Sequence, residues 1–188
     1  MTFFRIEHDV ALKDRWYLTR PLAPDGSRNY DFWPLMSGNR IGEPEHPLRI
    51  DVREKGQPLA FTLAGFDVPV VEVGLAEAMQ RVDSEAIQRV PASISSNSQG
   101  YEVLVVAREV ECVDEARSKF TKWGTGDGRP DKVGQYRMFV HLAIDYSKVP
   151  KGSDIFRIAG WHVALVVSGR MRAAMEAKGC RGVVFQEL

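Results

Sequence analysis

The feature that most limits the possible folds is an apolar-rich segment in the middle of the chain, at residues 101–113, whose central run is nearly continuous. Its centre, residues 103–107, contains only Val, Leu and Ala. A strand without alternating polar positions has to be covered on both faces, so this run predicts a buried strand with packed material on each side. Residues 136–146 instead alternate, which is typical of a strand with one buried face. We expect both segments to be central strands.

The C-terminal segment predicts a strand, a helix and a further strand. Residues 154–158 and 162–167 are short apolar runs, and the second ends at Ser168, a residue type that caps helix N-termini. Gly179 is placed to end that helix in a left-handed conformation, and residues 183–185 then indicate a last strand. The inward positions of the helix are predicted to be Met171, Ala174 and Met175.

A second amphipathic helix is predicted after Val70, because apolar residues recur at helical spacing up to Val82. Shifting the sequence by 96 positions superposes the C-terminal helix on this one, with Val166 on Val70 and Met171 on Leu75. So few matches indicate recurrent helix chemistry rather than a duplicated unit. The predicted fold class is α+β, with a mixed, largely antiparallel sheet and two short amphipathic helices on one face.

The 188 residues are predicted to form a single domain with an irregular, turn-rich part at 1–66 and a more regular α+β part at 67–188. In the irregular part, residues 46–54 and 59–63 are predicted to pair as a hairpin. Before them, prolines and glycines interrupt a long segment that also carries Tyr30, Phe32 and Trp33. Disordered loops are poor in aromatic residues, so a long loop with three of them indicates a function.

Composition excludes several classes of partner. The chain has 25 Lys plus Arg and 25 Asp plus Glu, which removes any whole-molecule electrostatic reason to bind nucleic acid or an anionic membrane.

Charges at Arg5 and Glu7 interrupt any apolar leader, so we expect a cytoplasmic protein. Cys112 and Cys180 lack metal-ligand spacing and are expected to be reduced, buried thiols. We expect neither metal nor cofactor.

No strong catalytic motif is present in the sequence. The glycine-rich residues 124–128 and the acidic residues 43–46 are interpreted as surface loops. His141 is expected to be a core histidine and His162 to bond a backbone carbonyl. Because active sites assemble from scattered residues, a small hydrolase or transferase that uses His141 or His162 with a carboxylate remains an alternative.

Charge is segregated along the chain. The charged residues in 102–115 are mainly acidic. Those in 117–137 are mainly basic, and this segment also contains Phe120 and Trp123. Aromatic residues together with Arg are enriched at the energetic centres of protein interfaces. A nucleic-acid module centred on 117–137 is a weaker alternative, because the molecule as a whole is neutral.

The C-terminal half also carries a family resemblance. Its motifs are a Phe-Arg pair after an apolar residue at 155–157, a Val-Val-Ser helix start at 166–168, and a Gly-x-x-Gly-Val-x-Phe ending at 179–185. Together they resemble the closing segment of the class eleven immunity proteins of bacterial polymorphic toxin systems. The resemblance covers mainly the C-terminal half and hardly extends to the N-terminal third.

The resemblance implies a non-catalytic antitoxin, an immunity protein that binds a cognate protein toxin and neutralises it by occlusion. Such a protein needs a stable scaffold and a surface that excludes water around a few anchors. The irregular segments supply the candidate toxin-binding residues, which are Tyr30, Phe32, Trp33, Phe120, Trp123 and Arg129.

Overall fold

A computed structural model describes residues 2–23, 25–27, 29–65, 67–95, 97 and 99–188. The strands and α-helices in chain order are β1 Phe3–His8, β2 Tyr17–Leu18, β3 Leu48–Ile50, β4 Val52–Glu54, β5 Phe61–Ala64, β6 Val68–Glu72, α1 Val73–Val82, β7 Ile87–Ile94, β8 Tyr101–Val106, β9 Glu109–Val110, β10 Lys119–Lys122, β11 Tyr136–His141, β12 Ile155–Ile158, β13 Trp161–Ser168, α2 Gly169–Ala177 and β14 Val183–Glu187. Short 3-10 helices lie at Trp33–Met36, Pro130–Lys132 and Tyr146–Lys148.

Most strands form two five-stranded sheets. Sheet I has the order β5-β6-β8-β7-β3, and sheet II has the order β9-β12-β13-β1-β14. Their neighbours are antiparallel except for β3 with β7 and β9 with β12. The predicted α+β class and mixed, largely antiparallel pairing are therefore confirmed, although the strands divide between two sheets. Neither helix in the described part of the chain has the length and apolar character needed to cross a membrane.

The two sheets share one hydrophobic cluster with both helices. Side chains of β1, β5, β8 and β13 meet Leu75 and Met79 of α1 and Met171 and Met175 of α2. Strand β8 also contributes Val103 and Val105 to a second cluster on the other face of sheet I. The apolar run at the centre of the sequence is thus covered on both faces, as its pattern predicts.

The irregular segments cover the outer faces of the two sheets. Over sheet I, the chain between β1 and β3 places Trp16, Phe32 and Leu35 in the second cluster. Over sheet II, the chain between β9 and β12 places Cys112 and Ile144 in a third cluster. Each irregular segment therefore has an apolar side that fixes its position, which leaves its polar side and some of its aromatic residues at the surface.

Two of the strand predictions are wrong. Residues 46–63 do not form a hairpin, because β3 pairs with β7 whereas β5 pairs with β6. Residues 136–141 form a strand, β11, but within the described chain its one strand partner is β10, so it is not central. Met138 and Val140 on β11 are 51% and 66% exposed. The apolar positions of this alternation are therefore exposed on β11, because alternation in the sequence does not encode which strands or layers lie beside a strand.

The weak sequence repeat marks a real structural repeat, so its interpretation as helix chemistry alone is wrong. The series β5-β6-α1-β7 recurs as β12-β13-α2-β14, with the same strand order in each sheet. Equivalent backbone hydrogen bonds support the match. Val73 N donates to Gly100 O at 3.1 Å, and the equivalent Gly169 N donates to Thr2 O at 2.9 Å.

We divide the chain into two halves between β7 and β8. The central strand of each repeat then comes from the half that does not contain that repeat. Strand β8 lies between β6 and β7 in sheet I, and β1 lies between β13 and β14 in sheet II. The registers agree, because Val70 pairs with Val103 while its counterpart Val166 pairs with Arg5. Neither sheet is complete without a strand from the other half, so the two halves are expected to fold together.

This exchange predicts the behaviour of a divided chain. If the connection between β7 and β8 is cut, the two fragments should form a stable complex when they are co-expressed. Each fragment alone should lack a cooperative thermal transition, because its sheet loses the central strand and its inner cluster is exposed. Circular dichroism and gel filtration measure this. A C-terminal fragment that folds alone would contradict the interdependence of the halves.

A buried ionic network ties α1 to α2. Asp154 is fully buried and accepts hydrogen bonds from the Ser168 hydroxyl and the Arg170 guanidinium. Its backbone N–H donates to Asp83 Oδ2 at 3.0 Å, and Asp83 also pairs with Arg108. Ser168 Oγ accepts from Met171 N at 3.1 Å, which confirms the predicted helix cap.

The pKa of Asp83 is lowered from its usual 3.8. Burial acts to raise it, but the hydrogen bond from Arg108 and those from the backbone N–H groups of Asp154 and Ala86 outweigh this effect. Since the carboxylate is favoured in the folded state, it contributes stability that is present above about pH 4 and lost as the pH falls through the lowered pKa.

Replacing Asp83 with Asn should therefore lower the free energy of unfolding at pH 7 by about 3 kcal/mol, because Arg108 would lose its partner. The variant should also lose part of the stability change below pH 4. Urea unfolding across pH measures both effects. Glu54→Gln, which alters only the exposed pair with Arg53, is the control and should change stability by less than about 0.5 kcal/mol. An unchanged acid profile in the Asp83 variant would contradict this assignment.

Candidate protein-binding surface

The two irregular segments meet at an open groove with a volume of about 640 Å³. Trp33 comes from the segment over sheet I, and Trp123 comes from the segment over sheet II. We call this the aromatic groove, and its main lining residues are Trp33, Trp123, Lys132, Tyr136, Arg137 and Trp161. The groove therefore joins aromatic and basic side chains from both halves of the molecule.

Buried neighbours hold Trp33 at the surface. Phe32 is 3% exposed and stacks on Trp33, with ring centroids 5.0 Å apart. Leu35 and Met36, in the same 3-10 turn, are also buried. Asp31 Oδ1 accepts from Trp33 N at 3.1 Å, which fixes the start of the turn. Trp33 itself is 50% exposed, so a large apolar ring is presented to solvent on an anchored backbone.

A closed loop positions Trp123. Its N–H donates to Gln135 O and its carbonyl accepts from Gly134 N, both at 2.9 Å. The Arg137 guanidinium carbon lies 4.6 Å from the Trp123 ring centroid, and Arg137 Nη1 bonds Asp127 at 2.9 Å. Asp127 also accepts from Gly124 N at 2.7 Å. The glycine-rich stretch is therefore a surface turn that supports Trp123.

A chain of aromatic contacts supports Tyr136 and Trp161, two residues that line the groove. Tyr136 lies 5.1 Å from Phe120 and 4.8 Å from Phe139, measured between ring centroids, and Phe139 lies 4.6 Å from Trp161 of β13. These contacts attach the β10–β11 arm to sheet II. Burial, together with a 2.6 Å hydrogen bond to Glu115, raises the pKa of Tyr136, so its hydroxyl stays protonated.

Apolar side chains are exposed around this arm. Met138 and Val140 project from β11, Val133 lies in the loop before it, and Val163 lines the groove beside Trp33. Each is at least 36% exposed. Several exposed apolar residues on and beside one two-stranded arm are a feature that protein-interaction surfaces share.

A second groove, of about 660 Å³, shares Tyr136 with the first. We call it the acidic groove, and the charged residues that line it are Glu111, Asp114, Glu115, Asp145, Lys122 and Lys148. Two regions of opposite charge therefore lie side by side, as the charge segregation in the sequence suggests.

The predicted toxin-binding residues occupy different environments. Trp33 and Trp123 meet at the aromatic groove, and Phe120 belongs to the chain of aromatic contacts that supports two of its lining residues. Tyr30 packs against the cluster over sheet I, and exposed Arg129 is paired with Asp131 at 2.8 Å. Phe32 is buried, so its side chain is not available for direct contact and acts through Trp33.

Sequence reasoning missed four groove residues. Lys132 and Arg137 lie in the basic stretch, Tyr136 begins a predicted strand, and Trp161 directly precedes the predicted strand at 162–167. Nothing in their local sequence marks them as neighbours, because the contacts join elements far apart in the chain. The aromatic content beside Arg and Lys was the available signal.

The two histidines that were considered for catalysis lie at the surface. His141 is exposed at the end of β11, so its prediction as a core residue is wrong, because β11 is not a central strand. His162 Nε2 lies 2.7 Å from Glu109 Oε1. His162 lines the aromatic groove at its border with β13.

The two cysteines are not activated for nucleophilic attack. Burial raises the pKa of Cys112 and of Cys180 to about 12, so both remain thiols at neutral pH. Neither forms a disulfide, and Cys112 is fully buried. In the described part of the chain, no three His, Cys, Asp or Glu side chains are grouped as a metal ion requires.

Family comparison supplies the context for this surface. The model of an immunity protein family, described as Immunity protein family (Imm11), matches residues 8–188. The chain belongs to the Imm11 family. The match covers nearly the whole sequence, so the expectation that the N-terminal third hardly shares the resemblance is wrong. Comparison with curated protein sequences gives no match.

Burial predicts different roles for Phe32 and Trp33. Phe32→Ala should lower the free energy of unfolding by about 3–5 kcal/mol, because it leaves a cavity over sheet I. Trp33→Ala should cost less than about 1.5 kcal/mol, mainly from the lost ring contact with Phe32. Chemical denaturation of both variants measures the difference. Equal destabilisation would contradict the description of Trp33 as a surface residue.

Proposed function

We propose that this Imm11 protein acts in the cytoplasm by binding a cognate protein toxin and neutralising it through occlusion, without catalysis or a cofactor. The observation that carries the proposal is the convergence of Trp33 and Trp123 at one open groove. Family membership supports an immunity role, and the aromatic groove is the surface that we propose binds the toxin.

The surface has the composition that tight binding needs. Hot spots in protein interfaces are enriched in Trp, Tyr and Arg, and the aromatic groove contains all three. Trp33 stacks on the buried Phe32 and Trp123 contacts the Arg137 guanidinium, so the two rings lose little conformational freedom when a partner binds. A standard interface covers roughly 800 Å² of each partner, an area that would include the groove and the exposed face of β11.

Nucleic acid is a less suitable partner. Four bases of the 117–137 segment, Arg117, Lys122, Arg129 and Arg137, are each paired with a carboxylate. The acidic groove beside them would repel a phosphate backbone. The charge of this arm is therefore patterned rather than uniformly basic.

A second candidate function is a small hydrolase or transferase that uses His162 with Glu109. The 2.7 Å contact between the two side chains favours it, because a carboxylate that orients an imidazole is a common part of acid–base sites. Ser37 also lines the groove, but its hydroxyl donates to Pro34 O at 2.9 Å. His141 lies on the arm and does not line this groove.

The binding proposal predicts which variants lose protection. The toxin encoded beside this chain's gene should be lethal when expressed alone and harmless with the wild-type protein. Trp33→Ala and Trp123→Ala should each weaken the purified complex about 30-fold or more, and together they should abolish protection. Tyr17→Ala removes a partly exposed ring from another surface and should protect fully. Full protection by the double variant would contradict the proposed surface.

The same assay separates occlusion from catalysis. If the protein acts by occlusion, Glu109→Gln should retain both the complex and protection, and His162→Gln, which changes a residue that lines the groove, should protect whenever it still forms the complex. Loss of protection in these variants while the complex persists would instead support the enzyme. Isothermal titration calorimetry and cell survival together make this distinction.

A further inference from the structure

We propose that the aromatic groove binds an acidic, apolar segment of a protein partner, with a partner carboxylate held by Lys132 and an apolar side chain against Trp33 and Trp123. The inference rests on the proposed function only in taking that partner to be the toxin. The chemistry of the segment follows from the groove itself.

Lys132 is placed between the two tryptophans. Its Nζ lies 5.4 Å from the Trp33 ring centroid and 5.8 Å from the Trp123 ring centroid. Its backbone is fixed because Lys132 N donates to Arg129 O at 3.0 Å and Lys132 O accepts from Gln135 N at 2.9 Å. The fixed backbone and the contacts of Nζ with the two rings place the ammonium at the groove before a partner arrives, which lowers the entropy cost of binding.

Lys132 forms no close ion pair with a carboxylate of the described residues, although the hydrogen bond from Arg129 and, to a smaller extent, the charge of Lys132 lower the pKa of the adjacent Asp131. Its basic neighbours are satisfied, since Arg129 pairs with Asp131, Arg137 with Asp127, and Lys122 with Glu115. No such pair within 4.0 Å involves Lys132 in the described part of the chain. Contact with the two indole rings stabilises the charge but leaves ammonium N–H groups free to donate to an oxygen.

The charges around the groove determine which segment fits. Among the described residues that line the groove, Lys132 and Arg137 are basic and Asp31 is the one carboxylate, with its Oδ1 already accepting from Trp33 N. A basic segment would therefore meet the ammonium of Lys132, whereas an acidic one gains a favourable interaction with it. The adjacent acidic groove repels the same carboxylates, so it directs them toward Lys132. The large rings then favour an apolar side chain beside the acid.

A peptide titration tests this inference without the toxin. The full-length protein is titrated with two tetrapeptides, acetyl-Leu-Asp-Leu-Asp-amide and acetyl-Leu-Lys-Leu-Lys-amide, while NMR follows the indole N–H signals of Trp33 and Trp123. The acidic peptide should shift both signals with a Kd of about 1 mM, which is typical of so small a ligand. The basic peptide should bind at least 10-fold more weakly.

Charge variants locate the carboxylate. Lys132→Glu should weaken the acidic peptide at least 10-fold, Lys132→Gln should weaken it by a smaller factor, and Lys132→Arg should retain binding. Lys119→Glu is the matched control. It makes the same change of charge on the same arm. Lys119 is exposed and lies opposite His141 in the β10–β11 strand register, at the far end of the arm. It should bind like the wild type. The dispersion of the amide spectrum verifies that each variant is folded.

Three results would overturn the inference. These are equal or tighter binding of the basic peptide, equal losses in Lys132→Glu and Lys119→Glu, and shifts confined to residues outside the aromatic groove. None of them affects the protection assay, so an immunity protein that binds its toxin through another chemistry would still be recognised. Conversely, peptide binding can succeed even if the double tryptophan variant protects cells.

Discussion

The exchange of central strands between the two halves is the constraint on which the rest of the structure depends. Because β8 completes sheet I and β1 completes sheet II, the halves share one inner cluster with both helices. Each sheet then needs cover only on its outer face, and the two irregular segments provide it. Because the inner faces share one cluster, the irregular segments lie on the outer faces. Their exposed edges meet at the aromatic groove.

The aromatic groove is a consequence of this arrangement. Phe32 is buried over sheet I and holds Trp33, whereas the aromatic chain from Phe120 to Trp161 holds the other wall against sheet II. Stability and binding are thus assigned to different side chains of the same segments. A surface built in this way can change its exposed residues without changing its anchors, which suits a protein that has to match one particular partner.

Local patterns in the sequence predicted the elements but not their neighbours. The apolar run at 103–107 and the cap at Ser168 are local signals, and both match the structure. The positions of β3, β5 and β11 depend on pairing across long distances, which alternation does not encode. The 96-position match involves too few residues to separate a repeated unit from recurrent helix chemistry, and the shared strand register that separates them is visible only in the structure. The aromatic content of the irregular segments is sufficient to predict Trp33 and Trp123 as binding residues. The position of Lys132 between them depends on the tertiary structure.

The most direct test of the central claim is hydrogen–deuterium exchange on the complex with the proposed cognate toxin. If the aromatic groove and the β10–β11 arm form the binding surface, the toxin should slow amide exchange in residues 33–37 and 123–141 and leave β14 unchanged. Protection confined to β14 or to the connection between β1 and β2, with the groove still exchanging freely, would contradict the claim.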